Sequence, residues 1–211
     1  MQTLSTLLAL KKLYIMQSIG VEYCDPIFIK TLQSSFKTNN LSTLHKIIQE
    51  CQLCTKKSSA PYVGLCNPNS KIAFLSLTPI LDHQLRFASK GAQMLKKIIE
   101  NVFLLSLKDA SILSLLKCDI PKTAQEESFH TCKSYLLEQI KFCKSKAIIL
   151  LGQETYQYFC QDSTPYEKLQ GKVLQWGDSL LLPTFSLMQL LANPQLKTKA
   201  HQEFLNLKAH L

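Results

Sequence analysis

The sequence predicts an α/β fold, a three-layer sandwich with a central, mostly parallel four-stranded sheet flanked by helices. Three observations carry this. Short apolar runs of buried-strand type occur at residues 72–75, 111–116, 147–151 and 180–182. The stretches between them are long enough for the crossover helices that parallel strands require. Of the 211 residues, 46% are hydrophobic and 18% charged, enough to bury a full core and to exclude wholesale disorder.

Taken in order, residues 1–35 read as mostly helical, because Leu4, Leu7, Leu8, Leu10, Leu13 and Ile15 recur at roughly helical spacing. Tyr23-Cys24-Asp25-Pro26 interrupts them, and a second short helix is expected to reach Phe36. Asn39-Asn40 is a turn, after which Ser42 is expected to cap a helix carrying Leu44, Ile47 and Ile48 toward Cys51. Residues 55–70 are rich in Lys, Ser, Pro and Asn and read as loop. Beyond the first strand, residues 91–103 are amphipathic, with Met94, Leu95, Ile98 and Ile99 on one side. Residues 126–142 read as a helix with Leu136, Leu137 and Ile140 inward, and 195–211 as a final Lys-rich helix. The expected division is an N-terminal helical extension, 1–40, and one domain, 41–211. In a parallel sheet the ligand sits beyond the carboxyl ends of the strands, here residues 76–80, 116–121, 152–154 and 183–188.

Lys and Arg number 24 against 15 Asp and Glu, a formal charge of +9. That excess suits an anionic partner such as nucleic acid or an acidic membrane surface; the alternative is Lys-rich helix faces that are merely solvated. Arg86 is the one arginine, so the charge consists of point-like ammonium groups, which hold phosphates without the planar fork that reads base edges. The N-terminus has no basic region before its apolar stretch and no small-residue cleavage site, and no apolar run is long enough for a bilayer. The expectation is a cytoplasmic protein with no membrane partner, in which eight cysteines are not disulfides.

Cys51-Gln52-Leu53-Cys54 is a C-x2-C at a predicted helix end, a weak signal alone. Cys118 closes a predicted strand and Cys132 opens a predicted helix, so both can lie at one edge of a parallel sheet. Four thiolates that converge there suit zinc or an iron–sulfur cluster, and spacing alone favours zinc. Cys24, Cys66, Cys143 and Cys160 have no matching spacing; Cys143 and Cys160 read as core thiols.

Residues 41–211 resemble the family-four uracil-DNA glycosylases, the iron–sulfur branch of that superfamily. The resemblance lies in the C-x2-C after an amphipathic helix and in Val63-Gly64-Leu65-Cys66-Asn67-Pro68, like the family's Val-Gly-x-Gly-Asn-Pro. It continues through Lys117-Cys118, Cys132-Lys133-Ser134-Tyr135-Leu136, Leu150-Leu151-Gly152, Leu169-Gln170-Gly171, and Pro183-Thr184-Phe185 with Leu190-Leu191-Ala192-Asn193-Pro194. It implies a 4Fe–4S cluster on Cys51, Cys54, Cys118 and Cys132, reversing the preference for zinc. It also implies a monomer that takes DNA with a flipped or single-stranded nucleotide, in base-excision repair.

Cleaving the glycosidic bond of a flipped base requires stacking, edge reading, anion stabilisation and a positioned water. The resemblance places Phe87 as the stacking aromatic, within Arg86-Phe87-Ala88-Ser89-Lys90-Gly91. The family's Gly-Glu-Ala-Pro-Gly loop is Ser76-Leu77-Thr78-Pro79-Ile80, so its carboxylate is Leu77 and its last glycine Ile80; Thr78 and Pro79 remain as substrate contacts. Ser114 stands for the asparagine that reads the base, and Ser186 for the histidine that stabilises the anion. Asp82 and His83 are candidate stand-ins for the missing acid–base groups, and His130 reads as surface or as neighbour to the cluster. No Ser-His-Asp order, P-loop or dinucleotide glycine motif is present. Weak or altered activity on uracil is therefore expected. The alternative is a cluster-bearing DNA- or protein-binding module without glycosylase chemistry.

Overall fold

The computed structural model describes residues 38–161 and 164–211. The helices expected within residues 1–35 lie outside that range. Residues Asn40–Leu211 form one compact unit.

Helix α1, Leu41–Gln49, begins at Asn40, whose side chain accepts from the Ser42 N–H at 2.9 Å. Asn40 is thus the cap, and Ser42 lies in the first turn; both are good capping residues, and the extended backbone at Asn40 decides between them. Leu44 and Ile48 are fully buried on its inner face, and the helix ends just before Cys51.

Strand β1, Ile72–Ser76, is buried throughout. Helix α2, Lys90–Lys97, capped by Ser89, runs into a π turn at Ile98–Val102. Strand β2, Ala110–Ser114, pairs parallel with β1, placing Ser76 opposite Ser114. Helix α3 spans Gln125–Cys143 and β3 spans Ala147–Leu151. Then follow α4, Gln153–Cys160; α5, Tyr166–Leu169; β4, Leu174–Trp176; β5, Ser179–Thr184; α6, Leu187–Ala192; and α7, Leu196–Lys208.

The strand order is β2-β1-β3-β5-β4, parallel except for β4. The expected four strands are there, and a fifth is added at the edge. Its three residues are too few for a visible alternation, and it exists as the arm of a hairpin turning at Gly177-Asp178, where Gly177 takes φ +57°.

Alternate strand residues feed opposite layers, as the two-residue period of a strand demands. Ala73, Leu75, Leu113, Ile148 and Leu150 pack with Phe129, Leu136 and Ile140 of α3 and Tyr156 of α4. Phe74, Ile112, Ile149 and Leu182 pack with Leu95 and Ile99 on one side and Phe204 and Leu207 of α7 on the other. Leu65 exchanges two backbone hydrogen bonds with Ile112 and so covers the outer edge of β2.

Candidate active site

The carboxyl ends of β1, β3 and β5 converge on an open cavity of about 630 Å³. One wall is the 76–80 loop, pinned where the Ser76 hydroxyl donates to the Thr78 carbonyl at 2.6 Å. A second is the β3–α4 turn, from Leu151 to Thr155. Gly152 lies here at φ +103°, and a Cβ on it would stand 2.9 Å from the Ser186 Cβ. That close approach delivers Ser186 to the third wall, where it caps α6. Its Oγ accepts from the Gln189 N–H at 3.2 Å, and Gln189 Oε1 accepts from the Ser186 N–H at 2.8 Å. Both residues are held in place, and the Ser186 O–H is left to donate to a ligand. Lys122 and Gln125, ahead of and opening α3, complete the lining. A cavity of this size suits a small ring ligand with part of its chain.

Thr78, Pro79 and Ser186 line the cavity, with Leu77 and Ile80 in the positions discussed above. Phe87 is half-buried against the α2 and α7 core, and Ser114 is 3% exposed beside Ser76; neither is part of the cavity wall. Asp82 and His83 are engaged elsewhere. The Asp82 carboxylate accepts from the N–H groups of Gln84 and Arg86 and from Arg86 Nε at 2.7 Å. Those bonds hold its carboxyl below the usual carboxylate range. His83 stacks on Tyr62 with ring centroids 3.9 Å apart. The pair thus organises its own loop, a short-range Asx pattern that outcompetes any longer reach. Sequence reasoning overlooked Glu154 and Lys122, the one carboxylate and the one ammonium among the lining residues. Glu154 lay in view at a strand end, and only the position of the cavity gives it weight.

The predicted thiol ligands lie on the α1–α3 side. Cys118 and Cys132 are buried, and Cys51 and Cys54 are half-buried. Burial pushes the Cys118 thiol up to about 12, with Cys132, Cys54 and Cys51 adding charge repulsion. Burial raises Cys132 as well, with Cys54 and Cys51 repelling. The Tyr135 hydroxyl donates to Cys51 Sγ at 3.7 Å. The four thiols therefore share one electrostatic neighbourhood. They do not form a closed coordination shell: among the described residues, no three His, Cys, Asp or Glu side chains are placed to hold a metal ion together. His130 is exposed and borders a separate surface hollow with Phe129 and Tyr158.

Between these thiols and the rest of the core lies Lys117, 1% exposed. Its Nζ donates to the Ser114 carbonyl at 2.7 Å and to Gln139 Oε1 at 2.5 Å, and Gln139 Nε2 donates in turn to the Val63 carbonyl at 2.8 Å. Burial lowers the ammonium to about 8, opposed by Cys132, Cys66 and Cys143. Cys143 is fully buried, as its apolar surroundings suggested, but it has a partner that spacing did not reveal: its Sγ is 3.1 Å from that of Cys66, 77 positions away. Cys160 is half-buried against the same core.

Comparison with known proteins fits this arrangement. The family model for the uracil-DNA glycosylase superfamily matches residues 63–209, and the chain belongs to that superfamily. The chain is similar to the Type-4 uracil-DNA glycosylase of Saccharolobus solfataricus, 26% identical over 190 residues, which cover 82% of this chain and 87% of the relative. Among the described residues, no helix is long and apolar enough to cross a membrane.

Proposed function

We propose that this chain is a DNA-acting, family-four-type glycosylase with weak or altered activity on uracil, working in base-excision repair in the cytoplasm as a monomer. The observation that carries the reading is a nucleotide-sized cavity at the carboxyl edge of a superfamily sheet, whose polar wall is rebuilt from hydroxyls. Thr78 and Pro79 contact the base and Ser186 donates to it; Phe87 and Ser114, the stacking and edge-reading positions of the resemblance, lie outside the cavity wall and reach a base only if the loops around them shift. A hydroxyl makes one or two hydrogen bonds but cannot span a base edge as an amide does. A lost anion donor costs on the order of 10²–10³ in rate. Exposed lysines at 56, 96, 97, 197 and 199 are the candidate contacts to DNA phosphates; those at 141, 144 and 146 lie at the amino edge of the sheet, opposite the cavity.

A 4Fe–4S cluster on Cys51, Cys54, Cys118 and Cys132 is part of the proposal; zinc is the alternative. The support is the donor set, four thiols in one electrostatic neighbourhood, with burial disfavouring the bare anions of Cys118 and Cys132. Cys51 and Cys54 at the end of α1 and Cys118 and Cys132 at the edge of the sheet would hold the cluster and would thereby be tied together; it would supply no step at the cavity.

The test uses single-stranded oligonucleotides carrying uracil, hypoxanthine or another deaminated base, followed by alkaline cleavage of abasic product. Strand cleavage on at least one lesion supports the reading, and none on any, with metal content intact, overturns it. The absence of the carboxylate, amide and imidazole at Leu77, Ser114 and Ser186 favours a second reading, a non-catalytic DNA- or protein-binding module. Salt-sensitive DNA binding without product would select it.

A further inference from the structure

The cavity holds two charges that nothing else in the described residues claims. Glu154 is exposed in the first turn of α4, and Lys122 is exposed in the turn ahead of α3. Both line the cavity, and neither takes part in an ion pair among the described residues. The contrast with Asp82 is direct: that carboxylate is consumed by three donors, whereas Glu154 stands at the rim between the cavity and the hollow beside Tyr158, with no ion pair among the described residues. The opposite wall, from Ser89 and Gly91 to Leu187 and Met188, carries no charge.

We infer that Glu154 and Lys122 are the charged catalytic pair of this cavity, with Glu154 taking the proton of the attacking water and the Lys122 ammonium facing the departing base anion. The inference rests on the glycosylase reading above. Cleavage of an N-glycosidic bond passes through an oxocarbenium-like state, and the group it needs most is a carboxylate that both polarises water and faces developing positive charge. The C1′–N bond breaks and its electron pair leaves with the base. A water oxygen forms the new C1′–O bond and its proton passes to the Glu154 carboxylate. The base, held as an anion beside the Lys122 ammonium, regains a proton from solvent. Position 77 cannot perform the first task, because Leu77 has no polar atom; position 186 can donate one neutral hydrogen bond but brings no charge. The two charges enter from the helices that flank the sheet on the α3–α4 side, while Ser76, Thr78 and Ser186 form the neutral part of the wall. The reactive charges are therefore displaced from the first and last loops to the middle two.

Single-turnover rates and dissociation constants on the cleaved oligonucleotide decide it, with wild type, E154Q, E154D, K122Q and the control E127Q. Glu127 is exposed on the first turn of α3 but does not line the cavity. Loss of an acid–base group costs roughly 10²–10⁴ in rate. E154Q is expected to lower the single-turnover rate by about 10²-fold or more with affinity within about threefold of wild type. E154D is expected to recover part of the rate, and E127Q to match wild type. K122Q is expected to lose at least about tenfold in rate beyond any loss in affinity. An active wild type with E154Q within about twofold of it overturns the inference and leaves the glycosylase reading standing. A K122Q effect confined to affinity and salt dependence makes Lys122 a phosphate contact and overturns its assigned role. No product from wild type on any lesion marks failure of the underlying reading, and the inference falls with it. Both side chains are exposed, so thermal melts matching wild type are expected for every variant.

Discussion

Two regions at the same end of the sheet differ in how they are built. On the α1–α3 side, Lys117, Gln139 and the thiols form a dry polar cluster in which donors and acceptors are matched across distant segments. At the cavity, polar atoms come from local turns, Ser76 to Thr78 and Ser186 to Gln189, and the two charges stand unpaired. In the first region Lys117 has one local partner, the Ser114 carbonyl, and is tied through Gln139 to Val63, 76 positions from Gln139, so any single loss leaves a buried group unmet. In the second, each satisfies itself within a few residues, so its side chains can change without disturbing the sheet. This separation explains how a superfamily scaffold persists around a cavity whose polar side chains differ from the family's motifs.

The largest effect expected from that contrast is at the thiols. Cys118→Ser or Cys132→Ser is expected to abolish metal content and the visible absorbance of a cluster, and to remove cooperative thermal unfolding, since metal binding and folding are one equilibrium when the site joins distant segments. Cys143→Ser lies outside that set and should cost only about 1–3 kcal/mol, the range for a buried group with imperfect partners. Equal melting of Cys132→Ser and wild type would break the comparison at its strongest point.

Lys117→Ala comes next. It strands Gln139 Oε1 and the Ser114 carbonyl in the interior, and removing one partner of a buried charged network costs about 3–5 kcal/mol. Lys117→Met fills the same volume and should cost less, because only the hydrogen bonds are lost. Urea melts of the two variants measure the difference. Should both match wild type, the dry cluster contributes nothing to folding and the distinction between the regions fails.

How legible these regions were in the sequence follows the same division. On the thiol side the sequence offers Cys51, Cys54, Cys118 and Cys132 through a C-x2-C, the ends of a strand and a helix, and the family resemblance, and the structure brings them into one electrostatic neighbourhood without a closed shell. Strands 147–151 and 180–182 were visible because buried parallel strands are continuous apolar runs. Hidden were features that need the third dimension. β4 is a short arm whose pairing with β5 decides it, and the Cys66–Cys143 contact joins residues 77 apart. Glu154 looked like any first-turn acid, a common helix-stabilising choice, until the cavity formed beside it. Asp82 misled for the opposite reason: its nearness in sequence to the missing carboxylate suggested a role that its bonds to Arg86 exclude.

A smaller and pH-dependent effect tests the support beneath the cavity. Glu203 of α7 is 7% exposed and its Oε2 accepts from the Thr184 hydroxyl at 2.6 Å, at the end of the strand that leads to Ser186. Its Oε1 is buried without a partner, against Gly171. Burial raises its pKa, opposed by Thr184 and Lys199. A carboxyl whose folded pKa lies above its unfolded value stabilises fully below the unfolded value, about 4.3, and loses that contribution as pH rises through the folded one. Glu203→Gln removes the titration. Its melting temperature relative to wild type should therefore rise between pH 4 and pH 7; a constant difference across that range would show that Glu203 is not strained by its burial.

The smallest effect is expected at Asp82. Its bonds are made within a surface loop, to backbone N–H groups of Gln84 and Arg86 and to an Arg86 side chain that is itself exposed. Exposed pairs of this kind lose in side-chain entropy and screening most of what they gain in attraction. Asn keeps an acceptor oxygen for the two backbone donors and gives up only the charge. Asp82→Asn should thus melt with wild type and cleave oligonucleotides at the wild-type rate, while Glu154→Gln does not. A rate loss in Asp82→Asn as large as that of Glu154→Gln would return the water-positioning role to the 76–87 segment and make the cavity's own charges bystanders.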